Sequence, residues 1–437
     1  MGLKVAKFGG TSLADGIQIT KTKNIIESDK ERKYVVVSAP GKRYDGDSKI
    51  TDLLFLCKTH MEHNLPYEQV FQVVCDRFLA IQMNLGVDVG LLAEFEVMKQ
   101  NLEAGASADY IASRGEYLNA KIMAKILDYD FIDAADVIFF DKKGRFLEDE
   151  TNKALGERLN KHERAIIPGF YGSFPDKTIK LFSRGGSDIT GAIVARAACA
   201  DVYENWTDVS GILMADPRIV ENPRPIESLS YKELRELSYM GASVLHEDAV
   251  YPARVADIPI NIRNTNKPDD RGTIITAEEV VSEGRVITGI AGSKDFVAIG
   301  IYKNNMNSER GVLRRLLGIL DDYGVLAHHL PSGIDTVSVV VESGEVNGRL
   351  EELVTDIKIG IKPDTVDVSE NIALIATVGC GMARTRGVAA RLFTALAEAG
   401  VNIRMIDQGS SEMNIIVGVE NKDFETSIKA VYDAFVK

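Results

Sequence analysis

The chain has 437 residues, 45% of them apolar and 26% charged, with a formal net charge of −13. That length exceeds one ordinary domain, so two or three are expected, and the composition is that of a globular protein. The acidic balance argues against a nucleic-acid or anionic-membrane surface, while leaving room for a basic pocket that takes a small anion.

No apolar run reaches the length of a membrane span, and no apolar leader precedes Lys4-Val-Ala-Lys7. Cys57, Cys75, Cys199 and Cys380 are scattered and make neither metal-binding pairs nor a disulfide framework. A reducing cytoplasm and four small core cysteines are therefore expected.

From the N-terminus, Leu3, Val5, Ala6 and Phe8 make a short buried strand. Gly9 and Gly10 then strip the backbone where it turns, and Thr11 and Ser12 follow as helix N-caps. A strand, a bare turn and a helix start expose amide groups that suit an anion, most often phosphate. Lys7 feeds the turn and can reach the same anion. Gly-Gly alone would read as an ordinary turn; the flanking lysine and hydroxyls favour a phosphate site.

Tyr34–Ser38 is a second buried strand, ending at Ala39-Pro40-Gly41. Residues 42–49 read as a mobile polar loop, and a helix with Leu53, Leu54 and Leu56 starts near Thr51. Residues 66–127 carry apolar residues at helical spacing. Within them Ser113-Arg-Gly-Glu116 reads as a helix opening. There Glu116 would be stabilised by the helix N-terminus, and on that pattern alone it is a stabilising carboxylate before it is a ligand. Further strands are expected at Ala165–Ile167, Thr178–Phe182, Val202–Trp206, Ile258–Ile262 and Thr273–Thr276, with helices between most of them. Ser230-x-x-Glu233 is a capping box. The alternation predicts a largely parallel sheet covered on both faces.

Ser183-Arg184-Gly-Gly-Ser187-Asp188 is a second strand–glycine turn–helix motif. Arg184 can grip a carboxylate, and Asp188 can position a lysine or a metal-bound phosphate. A capped helix with a solvent arginine explains the turn equally well. Trp206-Thr207-Asp208-Val-Ser-Gly211 and Asp216-Pro-Arg218 offer carboxylates at a strand end, where open α/β sheets bind ligands; each alone is ordinary turn chemistry. There is no Gly-x-x-x-x-Gly-Lys-Ser/Thr loop and no Gly-x-Gly-x-x-Gly after the first strand. The six histidines show no metal spacing.

The last third contains a repeat. Gly311-Val-Leu-Arg-Arg-Leu-Leu through Gly324-Val matches Gly387-Val-Ala-Ala-Arg-Leu-Phe through Gly400-Val at a constant offset of 76. Arg315 and Arg391, Leu316 and Leu392, and Leu320 and Leu396 coincide. Apolar strands (Phe296–Tyr302, Ile372–Val378) precede the two helices, and two more strand-like runs follow each.

In combination and in this order, the motifs resemble aspartate kinase, a member of the amino-acid-kinase fold family with paired C-terminal ACT domains. The resemblance spans essentially the whole chain and implies a three-layer αβα sandwich with a mainly parallel sheet, plus two ferredoxin-like ACT units. The expected boundaries are 1–282 for the kinase domain and 283–437 for the regulatory region, with ACT units at about 296–365 and 370–437. Relatives interleave the two units, so the strand near 296 could complete the second.

The implied reaction is phosphorylation of the β-carboxylate of L-aspartate by ATP with Mg2+, the opening step of lysine, threonine and methionine synthesis. By resemblance, Lys7 and the Gly9–Gly10 backbone stabilise the phosphoryl group, and Asp188 orients Lys7. Glu116 holds the substrate ammonium, Arg184 a substrate carboxylate, and Ser38, Thr51 and Ser187 contact aspartate. Thr207, Asp208, Asp216 and Arg218 surround the nucleotide. No dedicated metal cage is visible. An amino-acid effector, lysine first and threonine second, is expected near Ser332, Asp335 and Ser338. Asp335 either pairs with an effector ammonium or caps a turn. A homodimer or dimer of dimers through ACT units is implied, with no nucleic-acid or membrane partner and no fused homoserine dehydrogenase.

Two departures stand out. Relatives often carry Gly-Ala-Lys-Val-Leu-His-Pro where this chain has Gly241-Ala-Ser243-Val-Leu-His-Glu247, so a lysine near the nucleotide is absent. Leu213 stands where an aromatic residue often lies near the adenine. Two other readings compete: the same fold with another acceptor (glutamate, acetylglutamate or uridylate), and an amino-acid sensor with an impaired kinase half.

Overall fold

Short apolar runs separated by amphipathic helices fold as parallel strands wrapped by helices. The computed structural model describes residues 2–183, 185–242, 245, 247–278 and 285–436, with the side chains of 247 and 248 left out. Arg184 and Ser243 lie outside the described residues. The chain divides into two compact units. The first comprises residues 1–212, 225–231 and 243–279, and the second 213–224, 232–242 and 280–437. The chain thus crosses between units several times rather than once.

In the first unit, β1 (Lys4–Phe8), α1 (Gly16–Glu27) and β2 (Arg32–Val37) are followed by four helices: α2 (Ile50–Glu62), α3 (Glu68–Leu85), α4 (Leu91–Glu103) and α5 (Ala108–Leu127). Next come β3 (Asp130–Phe131), α6 (Glu148–Leu159), β4 (Ala165–Pro168), β5 (Tyr171–Ser173), β6 (Ile179–Leu181), α7 (Gly186–Ala197) and β7 (Val202–Thr207). The remaining elements are β8 (Ser228–Ser230), α8 (Tyr231–Tyr239, in the second unit beyond its first residue), α9 (Glu247–Val255), β9 (Ile260–Asn264) and β10 (Thr273–Thr276).

Eight strands form one sheet in the order β3-β4-β2-β1-β7-β9-β10-β8, parallel throughout except where β10 meets β9. Ala6, Phe8, Val35, Val37 and Trp206 face a core shared with α1 to α5. The alternate residues of β1 and β7 face α7, which packs between α6 and α9. This is the three-layer arrangement implied by the resemblance.

Three local expectations change. Thr11 and Ser12 are not caps: Gly10–Leu13 is a 3-10 turn, and α1 begins later, with Asp15 Oδ1 accepting from the Gln18 N–H at 2.9 Å. Residues 179–181 do not join the main sheet but form a hairpin with β5, because the Asp176-Lys177 turn folds them straight back. Cys199 is exposed, whereas Cys57, Cys75 and Cys380 are buried; all four are free.

In the second unit the repeat is visible in backbone detail. β11 (Gly289–Tyr302), α10 (Val312–Asp322), β12 (Thr336–Glu342), α11 (Ser343–Val346) and α12 (Leu350–Ile361) make the first copy. β13 (Thr365–Val378), α13 (Val388–Glu398), β14 (Met405–Asp407), β15 (Asn414–Glu420) and α14 (Phe424–Val436) make the second. Helices α10 and α13 are both preceded by a glycine in the left-handed region, Gly311 at φ +80 and Gly387 at φ +83. That backbone suits glycine and accounts for the matching residues.

The sheet runs β12-β11-β13-β15-β14 and is antiparallel. β11 and β13 are each bent by a left-handed residue at the same repeat position, Asp295 at φ +68 and Asn371 at φ +59. The bend divides both strands. Phe296–Tyr302 pairs with β12 and stays in the first copy, while Gly289–Ser293 pairs with Leu374–Val378 and completes the second. The strand that crosses between copies is therefore the stretch before 296. No helix among the described residues is long and apolar enough to cross a membrane.

Candidate active site

Because β1, β2, β4 and β7 are parallel, their carboxyl ends share one edge. Gly9 and Gly10 leave β1 there, and the Gly9 N–H donates to the Trp206 carbonyl at 3.0 Å. A Cβ on Gly10 would lie 3.0 Å from the Ala39 carbonyl oxygen, and one on Gly41 would lie 2.5 Å from the Gly10 carbonyl carbon. The two loops are joined by a hydrogen bond from Gly41 N–H to the Gly10 oxygen at 2.8 Å. Only bare backbone permits that approach.

Lys7 is 6% exposed, with Nζ 2.6 Å from Asp188 Oδ1. A Cβ on Gly9 would be 3.5 Å from the same Nζ, so the ammonium lies beside the turn. Asp188 is in the first turn of α7 and also accepts from Asn205 Nδ2 at 2.8 Å. Asn205 and Lys7 are register partners on β7 and β1. Lys7 is thus a positive charge held in one place by a carboxylate that is itself held. The helix start that faces this edge is that of α7, preceded by Gly185 in the left-handed region at φ +56.

Glu116 is not at a helix opening. Helix α5 starts two turns earlier, capped by Ser107, whose Oγ accepts from the Tyr110 N–H at 3.1 Å. Glu116 is 4% exposed, and burial pushes its carboxyl up to about 8, offset in part by the Ala39 backbone and the Arg114 cation. Its Oε2 is buried without a hydrogen-bond partner. Gly115 lets Ala39 approach, since a Cβ there would lie 2.8 Å from the Ala39 Cβ. The Arg114 guanidinium sits among Tyr110, Tyr117 and Tyr171 and reaches Ser113 Oγ.

Ser38 follows β2, and its N–H donates to the Phe8 carbonyl at 3.2 Å. Thr51 is in the first turn of α2, whose Ile50 N–H donates to the Pro40 carbonyl. Ser187 packs on Gly169, where a Cβ would lie 2.7 Å away. The loop at 42–49 is pinned rather than free: Arg43 and Arg77 both bind Asp47 and hold its carboxyl well below the usual range.

Lys7, Gly9, Gly10, Ser38, Thr51, Glu116, Ser187 and Asp188 thus meet at one edge of the first unit. Thr207 closes β7 at that edge and donates to Asp208 Oδ1 at 3.3 Å. Asp216 and Arg218 belong to the second unit, where the exposed guanidinium binds the Asp216 carboxylate and holds it below its usual range. Among the described residues no group of three or more His, Cys, Asp or Glu could hold a metal ion.

Gly41, Asn205 and Asn119 emerge only from the structure. Asn205 follows Glu204 inside a buried strand, and two polar residues between Tyr203 and Trp206 are the sequence signal there.

The regulatory candidates sit on a hairpin of the second unit. The Ser338 N–H donates to the Pro331 carbonyl at 2.9 Å, and the Gly333 N–H to the Thr336 carbonyl at 2.8 Å. Ser332 is exposed, and Asp335 Oδ1 accepts from the Met306 N–H at 3.3 Å, capping the turn at 306–308. Nearby, His328 Nδ1 is 2.8 Å from the Tyr239 hydroxyl, and His329 Nδ1 is 2.7 Å from Asp407 Oδ2.

The amino acid kinase family model matches residues 2–264, and an ACT domain model matches 375–435. Aspartokinase 3 of Bacillus subtilis is 40% identical over 99% of this chain and 98% of its own length. The chain belongs to the aspartokinase family. Aspartokinases are kinases with a carboxyl acceptor, and this member phosphorylates aspartate. The aspartate kinase of Clostridium acetobutylicum superposes with a TM-score of 0.91 at 52% identity, covering both chains fully. E. coli aspartokinase III in complex with aspartate and ADP superposes at 0.77 with 25% identity, again over both full chains. The bifunctional aspartokinase/homoserine dehydrogenase of Daucus carota is 30% identical, and this aspartokinase spans 50% of it.

Proposed function

We propose that this sheet edge transfers the γ-phosphoryl group of ATP to the β-carboxylate of L-aspartate, giving 4-phospho-L-aspartate and ADP. The observation that carries the reading is the Lys7 ammonium, held 2.6 Å from Asp188 beside the bare Gly9 turn. A carboxylate oxygen of aspartate attacks the γ-phosphorus as the bond to the β,γ-bridging oxygen breaks, and the electron pair leaves on ADP. The attacking group is already ionised, so no strong base is required. What the reaction needs is in-line placement and neutralisation of spreading negative charge.

Lys7 supplies that charge, with the Gly9 and Gly10 backbone beside it, and Asp188 keeps the ammonium aimed. The Glu116 carboxyl, whose Oε2 has no hydrogen-bond partner, receives the substrate ammonium and is ionised once that cation is beside it. Arg184 holds the α-carboxylate, with Ser38, Thr51 and Ser187 around the substrate. By the same reading Thr207, Asp208, Asp216 and Arg218 serve the nucleotide. Mg2+ comes bound to the ATP phosphates, where it masks charge that would repel the incoming carboxylate.

The paired ACT copies would bind an end-product amino acid and lower activity. Lysine is the first choice, since E. coli aspartokinase III has been crystallised with lysine and aspartate. Threonine is the second. Ser332, Asp335 and Ser338 would line or flank that effector site, in a cytoplasmic homodimer or dimer of dimers.

The test is purified protein with ATP and Mg2+, with acyl phosphate trapped by hydroxylamine. Aspartate should give hydroxamate, and added lysine should reduce it. Product from glutamate, or ADP release with UMP, without product from aspartate would overturn the reading.

A further inference from the structure

The middle of helix α5 lies over the residues that leave β2, with Gly115 against Ala39 and Asn119 against Ser38. Asn119 is three residues beyond Glu116 and therefore shares its face of the helix. It is fully buried, and Nδ2 donates to the Ser38 carbonyl at 2.7 Å. That bond fixes the amide orientation, because turning it over would set two oxygens against each other. The other end, Oδ1, is buried and has no partner. One turn earlier, Glu116 Oε2 is in the same condition. Glu116 lies against Ala39 and Asn119 against Ser38, so both side chains approach the same two residues at the carboxyl end of β2.

Two buried acceptors without donors on adjacent turns are costly unless something with several N–H groups comes between them. A carboxylate donates nothing, and a hydroxyl donates once. An ammonium donates three times, and its single charge favours the ionised form of the one carboxyl present. The nearby cation, Arg114, is taken up by Ser113 and three tyrosine rings.

We infer that Asn119 is a second acceptor for the substrate ammonium, so that Glu116 and Asn119 together make the subsite that requires an amino-acid acceptor. This rests on the reading of Glu116 given above. In that role Asn119 does two things: Nδ2 fixes the Ser38–Ala39 backbone, and Oδ1 takes one ammonium N–H.

Succinate, which is aspartate without the amino group, separates the two roles. The measurements are kcat, KM for aspartate and for ATP, and the Ki of succinate as a competitor of aspartate. Asn119→Ala should raise KM for aspartate about tenfold or more, leaving KM for ATP and the Ki of succinate within about twofold. A succinate Ki that rises in step with the aspartate KM would overturn the inference, since Asn119 would then only hold the loop. If the alanine variant does not fold, Asn119→Ser keeps a hydroxyl that can donate to Ser38 and still removes Oδ1, and the same ratio is read. Glu116→Gln is run in parallel. A ratio unchanged in Glu116→Gln defeats the reading of Glu116 itself, whereas a ratio that collapses in Glu116→Gln but holds in the Asn119 variants defeats only the present inference.

Discussion

Glu116 changed most between sequence and structure at the scale of single residues. The motif Ser113-Arg-Gly-Glu116 could be found by spacing, but its environment could not. Burial depends on Ala39 and on the 20-residue length of α5, neither of which is local to the motif. Burial also sets a pH dependence. The native carboxyl titrates near 8, above its ordinary value of 4.5, so between those values the native state keeps a proton that the unfolded chain has lost. Stability from this group is therefore fullest below 4.5 and falls as pH rises towards 8, by a few kcal/mol in all. Glu116→Gln removes the titration. Urea unfolding should show the variant gaining on the wild type from pH 5 to pH 8.5, and a constant difference across that range would contradict the assignment. Lys7 and Asp188 were legible as candidates because both flank glycine turns. Their contact was expected from the resemblance and not from spacing, since it depends on α7 packing against β1.

At the scale of elements, apolar runs announced β1, β2 and β4, whose burial on both faces explains why, while β9 and β10 showed through residues that are buried at alternate positions. The two- and three-residue edge strands β3 and β8 carry too little pattern to be seen. The first glycine turn was recognised, but its helix was placed too early, because a 3-10 turn and a separate Asp15 cap intervene. Close approach of two loops is likewise a tertiary fact. Gly41 looked like a strand terminator, yet it is what allows β2 to release its chain against Gly10. Gly41→Ala forces backbone apart where no flexible side chain can yield. It should cost about 1–3 kcal/mol and raise the KM values for both substrates. Thermal unfolding and steady-state kinetics check this; an unchanged melting temperature with unchanged KM values would show that the loops need not touch.

At the scale of the whole molecule, the 76-residue repeat was legible because two helices and their glycines recur. The exchange of strand ends between the copies was expected only from the resemblance, and its place in the chain was not legible. It turns on Asp295 and Asn371, two left-handed residues that bend β11 and β13 and that no periodicity marks. Likewise the segments at 213–224 and 232–242 sit amid kinase sequence but pack with the C-terminal unit, a matter of contacts and not of composition. The central claim is that a fixed ammonium, aligned by a carboxylate on another element, carries the charge of phosphoryl transfer. The most direct measurement is the rate of acyl-phosphate formation by Lys7→Ala, with circular dichroism to verify its fold. The account predicts a fall of about a hundredfold or more in kcat with the fold intact. A rate within about tenfold of the wild type, roughly 1.4 kcal/mol, would contradict it.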